Sequence, residues 1–390
     1  MSSESASSVS LSSEPLEKLV VVITGGSGAL GSQIARIIHE KWEDVTEIRL
    51  FDTVPPNQPL ITSITGYATP PSKPKVSYYH GSVLDPNLIA TAFVQADIVI
   101  HCAAIVEQGS VMARGRMREV NIDGTQNVIQ SCIDCGVRAL VYTGSIAQAL
   151  TVQKNSLPQR LDEKVSKLTS YDDLVFPHYG GSKNEAENLV LLANGREGKK
   201  TIRLATCSLR CPPMFGEGDK SLVITPLRIA KQCKGYYVPI GMSIGCGITM
   251  QSLYIGNGAW AHVVAARKLL DDGGDSTIGG EVFYIGDHGP VCSSANFHKQ
   301  FLHPLGFKVV PIGIPLFILM LLAYVLDFVC LLLALVRIDV SCLLNRSSMR
   351  FFKVSHSFSW EKARQELGYE PLYSHQDALA RSMEHYRNVI

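Results

Sequence analysis

Residues 18–31 read KLVVVITGGSGALG. The first seven are short, apolar and rich in valine, the pattern of a strand buried on both faces of a parallel sheet. Gly25, Gly28 and Gly31 follow at a GxxGxxG spacing. The first glycine lets the chain turn sharply off the strand. The second lets backbone approach a pyrophosphate, and the third lets a helix pack close to the sheet. Ile34, Ile37 and Ile38 then recur at helical spacing. The turn therefore opens a helix whose first residues, Ala29 and Leu30, present free N–H groups and a positive dipole end to phosphates.

Working outward, a second strand, VTEIRLFD, ends at Asp52, 21 residues after Gly31. A carboxylate there accepts hydrogen bonds from ribose hydroxyls and repels a 2′-phosphate. Thr53 and Val54 follow and supply no cation for such a phosphate, so the expected cofactor is NAD rather than NADP. The alternative is an aspartate that caps a helix or braces a loop. A proline-rich loop spans 53–75. Further apolar runs are VSYYHG, ADIVIHCAA, RALVYTGS and TIRLATCSLR, several of them separated by helical patterns. Alternating strands and helices predict an α/β fold, a Rossmann-like doubly wound parallel sheet over residues 18–215. A smaller substrate-binding region is expected at 216–311, with GYYVPIGMSIGCG as its Gly-rich stretch. A membrane-associated apolar segment is expected at 312–336, and a tail packing back on the substrate region at 337–390.

The 390 residues are 46% hydrophobic and carry a formal net charge of +1, ample for a core and too balanced to favour nucleic acid. Residues 1–17 begin MSSESASSVSLSSEP, which lacks the basic and apolar regions of a signal peptide and reads as a disordered tail. Without a secretory signal the ten cysteines are expected to be reduced. Cys132 and Cys135 form a CxxC, but no second pair at metal spacing follows. A structural role at a helix end is expected, and no metal site.

Tyr179 and Lys183 stand in YGGSK, ahead of the helical sequence NEAENLVLLA. Positions i and i+4 share a helix face. An ammonium beside a phenol favours the phenolate, which then takes a substrate hydroxyl proton as hydride leaves. The same lysine can hold the nicotinamide ribose. Ser145 ends a strand, where ligands bind in open α/β sheets, and its hydroxyl is placed to bridge substrate oxygen and tyrosine. A surface Tyr–Lys pair and an ordinary strand-end serine are the plainer alternatives.

These residues, with HCAA (101–104), VNIDGTQNVI (120–129) and LRCPPMFGEGD (209–219), resemble the extended short-chain dehydrogenase/reductase family. Within it, LLANG (191–195), LYIGNGAWAHVVAARKL (253–269), GGEVFYIGD (279–287) and FSWEKARQELGYEPLYS (358–374) are similar to the 3β-hydroxysteroid dehydrogenase/Δ5-Δ4 isomerase branch. The resemblance covers about residues 18–385. It implies NAD-dependent oxidation of a 3β-hydroxysteroid or sterol, with Ser145, Tyr179 and Lys183 catalytic and Asn121 supporting the active-site helix and a water relay. A plain helix-start cap would place Asn121 similarly. The resemblance is compatible with a homodimer. It departs at four places: Ser82 replaces the acid in GSVLD, Gly144 precedes the serine, Ile146-Ala147-Gln148 stands where the branch has IEV, and Cys211 replaces the proline of LRP. These bear on substrate orientation and on the isomerase step. Rival readings are a decarboxylating 4-carboxysterol 3-dehydrogenase, a non-catalytic NAD(H)-binding sensor and a nucleotide-sugar epimerase.

Ile312–Val336 is apolar nearly all round and long enough as a helix to cross a bilayer. Asp327 interrupts it, and the flanking runs are each too short to span alone. A single crossing would separate the tail from the Gly-rich domain. A monotopic or re-entrant anchor is therefore expected, with Asp327 near headgroups or facing protein and the site mouth near bilayer-dissolved steroid. By resemblance the membrane is that of the endoplasmic reticulum, with the mitochondrial membrane as the alternative.

Overall fold

The computed structural model describes residues 18–56, 73–106, 113–152, 159–163, 170–239, 248–272, 276–311, 313–338, 340 and 344–390. The Ser-rich tail at 1–17, most of the loop at 53–75, residues 240–247 of the Gly-rich stretch and Ile312 lie outside the described residues.

Among the described residues, β1 (Leu19–Thr24), β2 (Val45–Asp52), β3 (Lys75–His80), β4 (Ile98–His101), β5 (Ala139–Ser145), β6 (Ala205–Cys211) and β7 (Glu281–Tyr284) form one sheet. Its order is β7-β6-β5-β4-β1-β2-β3, with every neighbouring pair parallel. The order reverses between β1 and β4. At that switch point the carboxyl ends of the strands open a crevice, the usual ligand site of a Rossmann-like sheet.

The two-residue period of the strands supplies a core to each face. Val21, Ile23, Ile98, Ile100, Ala139 and Val141 face one core, whereas Val22, Val99, Leu140 and Tyr142 face the other. The first core takes α1 (Ala29–Lys41) and, further along the chain, Ile255–Asp272. The second takes α2 (Pro86–Phe93), then α4 (Gly124–Cys135) and α5 (Pro177–Leu192). A short helix α3 (Ala113–Arg118) runs into α4 through a π-turn at Glu119–Asp123. The extra residue in that turn, frequent at functional sites, has no sequence signal. The run TIRLATCSLR is strand only from Ala205, because Lys199–Thr201 forms a 3-10 turn and Thr201 takes φ 59°.

Beyond residue 215, α6 (Ile224–Gln232), α7 (Ile255–Asp272), α8 (Ser294–Leu302) and the final helix His375–Val389 join the first core, and this part of the chain also supplies β7. The tail returns to the body. His356–Phe358 pairs in parallel with Gln159–Leu161, and Tyr386 accepts from Gly216 N (3.0 Å) and donates to Asp219 (3.2 Å). Between body and tail stand α9 (Leu316–Leu335) and α10 (Arg346–Phe351). Helix α9 buries one stripe, Leu319, Ala323, Asp327 and Cys330, and Met349 of α10 packs against it. Phe317, Leu321, Phe328 and Leu335 recur on its exposed surface.

Candidate active site

The glycine turn is shaped by close approach. Gly25 takes φ +69°, and a Cβ there would lie 2.8 Å from Ala103 N; a Cβ on Gly31 would run into the Gly25 carbonyl. Gly28 precedes α1 and among the described residues no side chain caps that helix, so its first N–H groups are unclaimed by a capping residue. Leu30 sits in the core and Ala29 packs against it, so these two have backbone N–H groups to offer rather than side chains. Asp52 takes Ser27 N on Oδ2 (3.0 Å) and Val54 N on Oδ1 (3.2 Å), tying the turn to the end of β2. The Ser27 hydroxyl is buried, with no hydrogen-bond partner among the described residues. In GSVLD, Asp85 caps α2 by accepting from Asn87 N and Leu88 N, and Ser82 accepts from Leu84 N at 3.2 Å.

Ser145 ends β5 two strands from the turn. Its hydroxyl accepts from Ala147 N (3.2 Å), and its side chain lies near enough to the Tyr179 phenol to favour the phenolate. Tyr179 and Lys183 both lie on α5, whose first turn Pro177 helps set. Lys183 is 3% exposed, and its Nζ sits 4.1 Å over the Tyr142 ring. Burial pulls this lysine down to about 8, against the opposing pull of Cys102, Glu187 and Cys211. The expectation that the ammonium lowers the tyrosine is not met in this state. Burial pushes the Tyr179 phenol up, and Ser145 offsets only part of that. Desolvation of the anionic form is the larger influence.

Asn121, 1% exposed in the π-turn, ties three pieces together. Its side chain accepts from Ile105 N (2.7 Å) and donates to Ile105 O (3.0 Å) and to Ser182 Oγ (3.0 Å), on α5. From its own carbonyl a chain runs back through Thr125 (2.7 Å) and His101 (2.9 Å) to Thr24 of β1 (2.6 Å). Burial pulls His101 down to about 3, so the link is neutral at any working pH.

Other groups at the site carry little signal in the sequence. Gln148 reaches back so that its Oε1 accepts from Ser145 N (2.6 Å), which fixes the serine's backbone. A Cβ on Gly144 would lie 2.8–3.1 Å from Ser208 Oγ, Gln148 Oε1 and Glu187 Oε2. The TGS departure therefore opens space for a buried cluster in which Glu187 accepts from Ser208 (2.6 Å) and pairs with Arg210 (2.5 Å). On the opposite face His262 of α7 donates from Nδ1 to Gly258 O (2.7 Å) and meets Thr143 Oγ1 with Nε2 (2.9 Å). Burial pulls it down to about 4, and pushes the Cys102 and Cys211 thiols up to about 11 and about 12. Cys132 is buried at the end of α4, its thiol also pushed up by burial. A lone histidine in an apolar helix, or a glutamine after a strand, reads from sequence as ordinary packing.

Sheet order, glycine turn and strand-end crevice define a protein of the dinucleotide-binding Rossmann class. Solved structures share the fold. UDP-glucose-4-epimerase from Stenotrophomonas maltophila, with bound NAD and formylated UDP-arabinopyranose, superposes with TM-score 0.69 at 19% identity, over 95% of this chain and 98% of that one. The protein gox2253 superposes with TM-score 0.67 at 20% identity, with the same coverage of each chain. The model of the 3-beta hydroxysteroid dehydrogenase/isomerase family matches residues 22–315, and the chain belongs to that family. Human 3 beta-hydroxysteroid dehydrogenase type 7 is 32% identical over 369 residues, 94% of this chain and 95% of that protein. The 3 beta-hydroxysteroid dehydrogenase/Delta 5→4-isomerase of vaccinia virus (strain Ankara) is 30% identical over 289 residues, 74% of this chain and 78% of that protein.

Proposed function

We propose that this chain oxidises the 3β-hydroxyl of a steroid or sterol to the 3-ketone, using NAD. The observation that carries the reading is the meeting of Ser145, at the sheet's C-terminal edge, with the Tyr179 phenol, one helical turn from Lys183. The residues fit the cofactor: the turn has no room for side chains at Gly25 and Gly31 and little at Gly28, and among the described residues no side chain caps the α1 N-terminus and none meets the buried Ser27 hydroxyl. Asp52, beside that turn, is the group that would accept the adenosine ribose and exclude a 2′-phosphate. When bound, NAD supplies the hydride acceptor.

The chain's own residues do the rest. Ser145, held by Gln148, orients the substrate oxygen and the phenol. Tyr179 takes the hydroxyl proton, and the positive charge of Lys183, on the same helix face, opposes the upward push of burial on the phenol. Asn121 holds the loop after β4 against the catalytic helix. Residues 216–311 cover the steroid. At 147 and 148 neither side chain ionises, so these two positions supply no acid or base for a Δ5-Δ4 shift, and the dehydrogenation is the step proposed.

The exposed apolar surface of α9 supports a monotopic membrane anchor, with α9 and α10 seated in one leaflet and the site mouth near lipid-dissolved substrate. Helix α9 has 20 residues, long and apolar enough for membrane contact. The return of the tail to the body supports both ends lying on one side, and the endoplasmic reticulum is the membrane proposed.

The test is turnover with NAD and a panel of Δ5-3β-hydroxysteroids, read by product mass and by the absorbance of a conjugated enone. Tyr179→Phe is expected to lower turnover by ~10²–10⁴-fold while NAD binding persists. Wild-type kcat in that variant would refute the mechanism. Loss of CO2 from a 4-carboxysterol would instead identify the decarboxylating sibling reaction.

A further inference from the structure

We infer that the aromatic face of Tyr142 is the seat that holds the Lys183 ammonium in place, making Tyr142 a positioning residue for the reaction proposed above, on which its functional meaning rests. Tyr142 lies on β5, 1% exposed, with its ring turned to the core that α5 covers. Lys183 Nζ stands 4.1 Å from the ring centroid, well inside the range of an attractive cation–π contact. The Lys183 side chain is almost wholly buried. The Tyr142 hydroxyl is no substitute explanation for the residue: it reaches the Lys183 carbonyl only at 3.5 Å, the outer limit of a hydrogen bond.

Other groups face the ammonium from each neighbouring element, and the ring is the aromatic face that meets it. From α5 itself come Tyr179 one turn before and Glu187 one turn after. The Glu187 carboxylate is engaged by Ser208 and Arg210. After β4 and at the end of β6 come the thiols of Cys102 and Cys211, pushed up by burial and neutral. From β4 and α7 come His101 and His262, pulled down by burial and neutral. Burying an ammonium is costly. The quadrupole of an aromatic face lowers that cost without forming a directional bond, so the amine stays charged and remains able to donate to a ligand.

The test uses full-length, cofactor-free protein and follows the Lys183 side-chain carbon resonance through a pH titration. It compares Tyr142→Phe, Tyr142→Leu and 3,4,5-trifluorophenylalanine at position 142. Phenylalanine keeps the ring and is expected to keep the lysine titration in place. Leucine removes the π face, and the fluorinated ring keeps the shape while cancelling the quadrupole. Both are expected to move the lysine midpoint down by roughly 0.4–1.5 pH units, the counterpart of a desolvated cation–π contact. Should leucine fail to fold, the fluorinated ring alone decides. An unmoved midpoint with the fluorinated ring, or a phenylalanine shift as large as the leucine shift, overturns the seat. Lys183→Met separates the two layers: if it turns over steroid at the wild-type rate, the catalytic reading falls while the titration result stands.

Discussion

The Glu187–Arg210 pair beneath the site and the Asp327–Arg346 pair in the α9–α10 hairpin use the same chemistry under different conditions. The first has side chains 2% and 6% exposed; the second has an acid 9% and an arginine 51% exposed. Around Glu187 the bonding is nearly complete. Ser208 and two nitrogens of Arg210 donate to it, and Arg210 passes on to the Tyr284 hydroxyl at 3.1 Å. Such a pair recovers little beyond its desolvation cost, so what it secures is geometry: α5, β6 and β7 held in register under Tyr179 and Lys183. Asp327 instead receives one guanidinium nitrogen (2.7 Å) and the Arg346 backbone N–H (3.2 Å). There the pair hides a single carboxylate in an otherwise apolar helix, and its arginine stays half in solvent. Position is at stake in one region and concealment of charge in the other.

Breaking the dry pair is the largest effect expected. Glu187→Gln leaves the Arg210 guanidinium buried without a counter-charge and should cost about 3–5 kcal/mol of stability, read by denaturant unfolding. Replacing both partners, Glu187→Met with Arg210→Met, should recover most of that. If the single substitution costs under about 1 kcal/mol, the contrast between the two pairs is wrong.

A change of opposite sign is expected one turn away. Lys183 falls from its ordinary 10.5 to about 8 because folding buries its charge. Below pH 8 the folded chain bears the whole cost; between about 8 and 10.5 the unfolded chain binds more protons, so this group makes stability rise with pH. Lys183→Met should therefore stabilise the cofactor-free protein at neutral pH, by up to about 3 kcal/mol less what the Tyr142 face returns. The gain should shrink as pH rises through that window. A variant no more stable than wild type at pH 7 would show that the buried ammonium carries no such cost.

Much of the frame was legible because it is local. A strand, a GxxGxxG turn and a helix are adjacent in sequence, Asp52 ends the next strand, and Tyr179 and Lys183 are one helical turn apart. Those signals led to the sheet and to the crevice. What stayed hidden depends on partners brought together only by the sheet. Tyr142 meets Lys183 across 41 positions, Glu187 meets Arg210 across 23, and Thr143 meets His262 across 119. Gly144 read as a departure from a family pattern, and its reason appears only when Ser208 and Glu187 stand where its side chain would be. The direction in which Tyr179 shifts was missed because i, i+4 spacing gives a lysine's reach but not the burial acting against it. For Asp327, sequence offered headgroups or protein as its surroundings, and the arginine that meets it lies 19 residues on, across the turn to α10.

The smallest effect in solution is expected at that hairpin pair. Arg346→Gln removes the guanidinium but keeps the backbone N–H that also meets Asp327. Because the arginine is half exposed, water already screens much of the attraction, and the loss should be at most about 1 kcal/mol. A lipid leaflet offers no such screening, and a carboxylate left without its partner at membrane depth costs about 2.5–3.5 kcal/mol. Wild type and Arg346→Gln should thus unfold almost alike in solution, while the variant floats less readily with neutral phosphatidylcholine vesicles. Asp327→Asn, which removes the need for a counter-charge, should restore flotation in the Arg346→Gln background. Equal flotation of wild type and variant would mean that α9 does not carry Asp327 toward lipid, and the anchor would have to be sought on another surface.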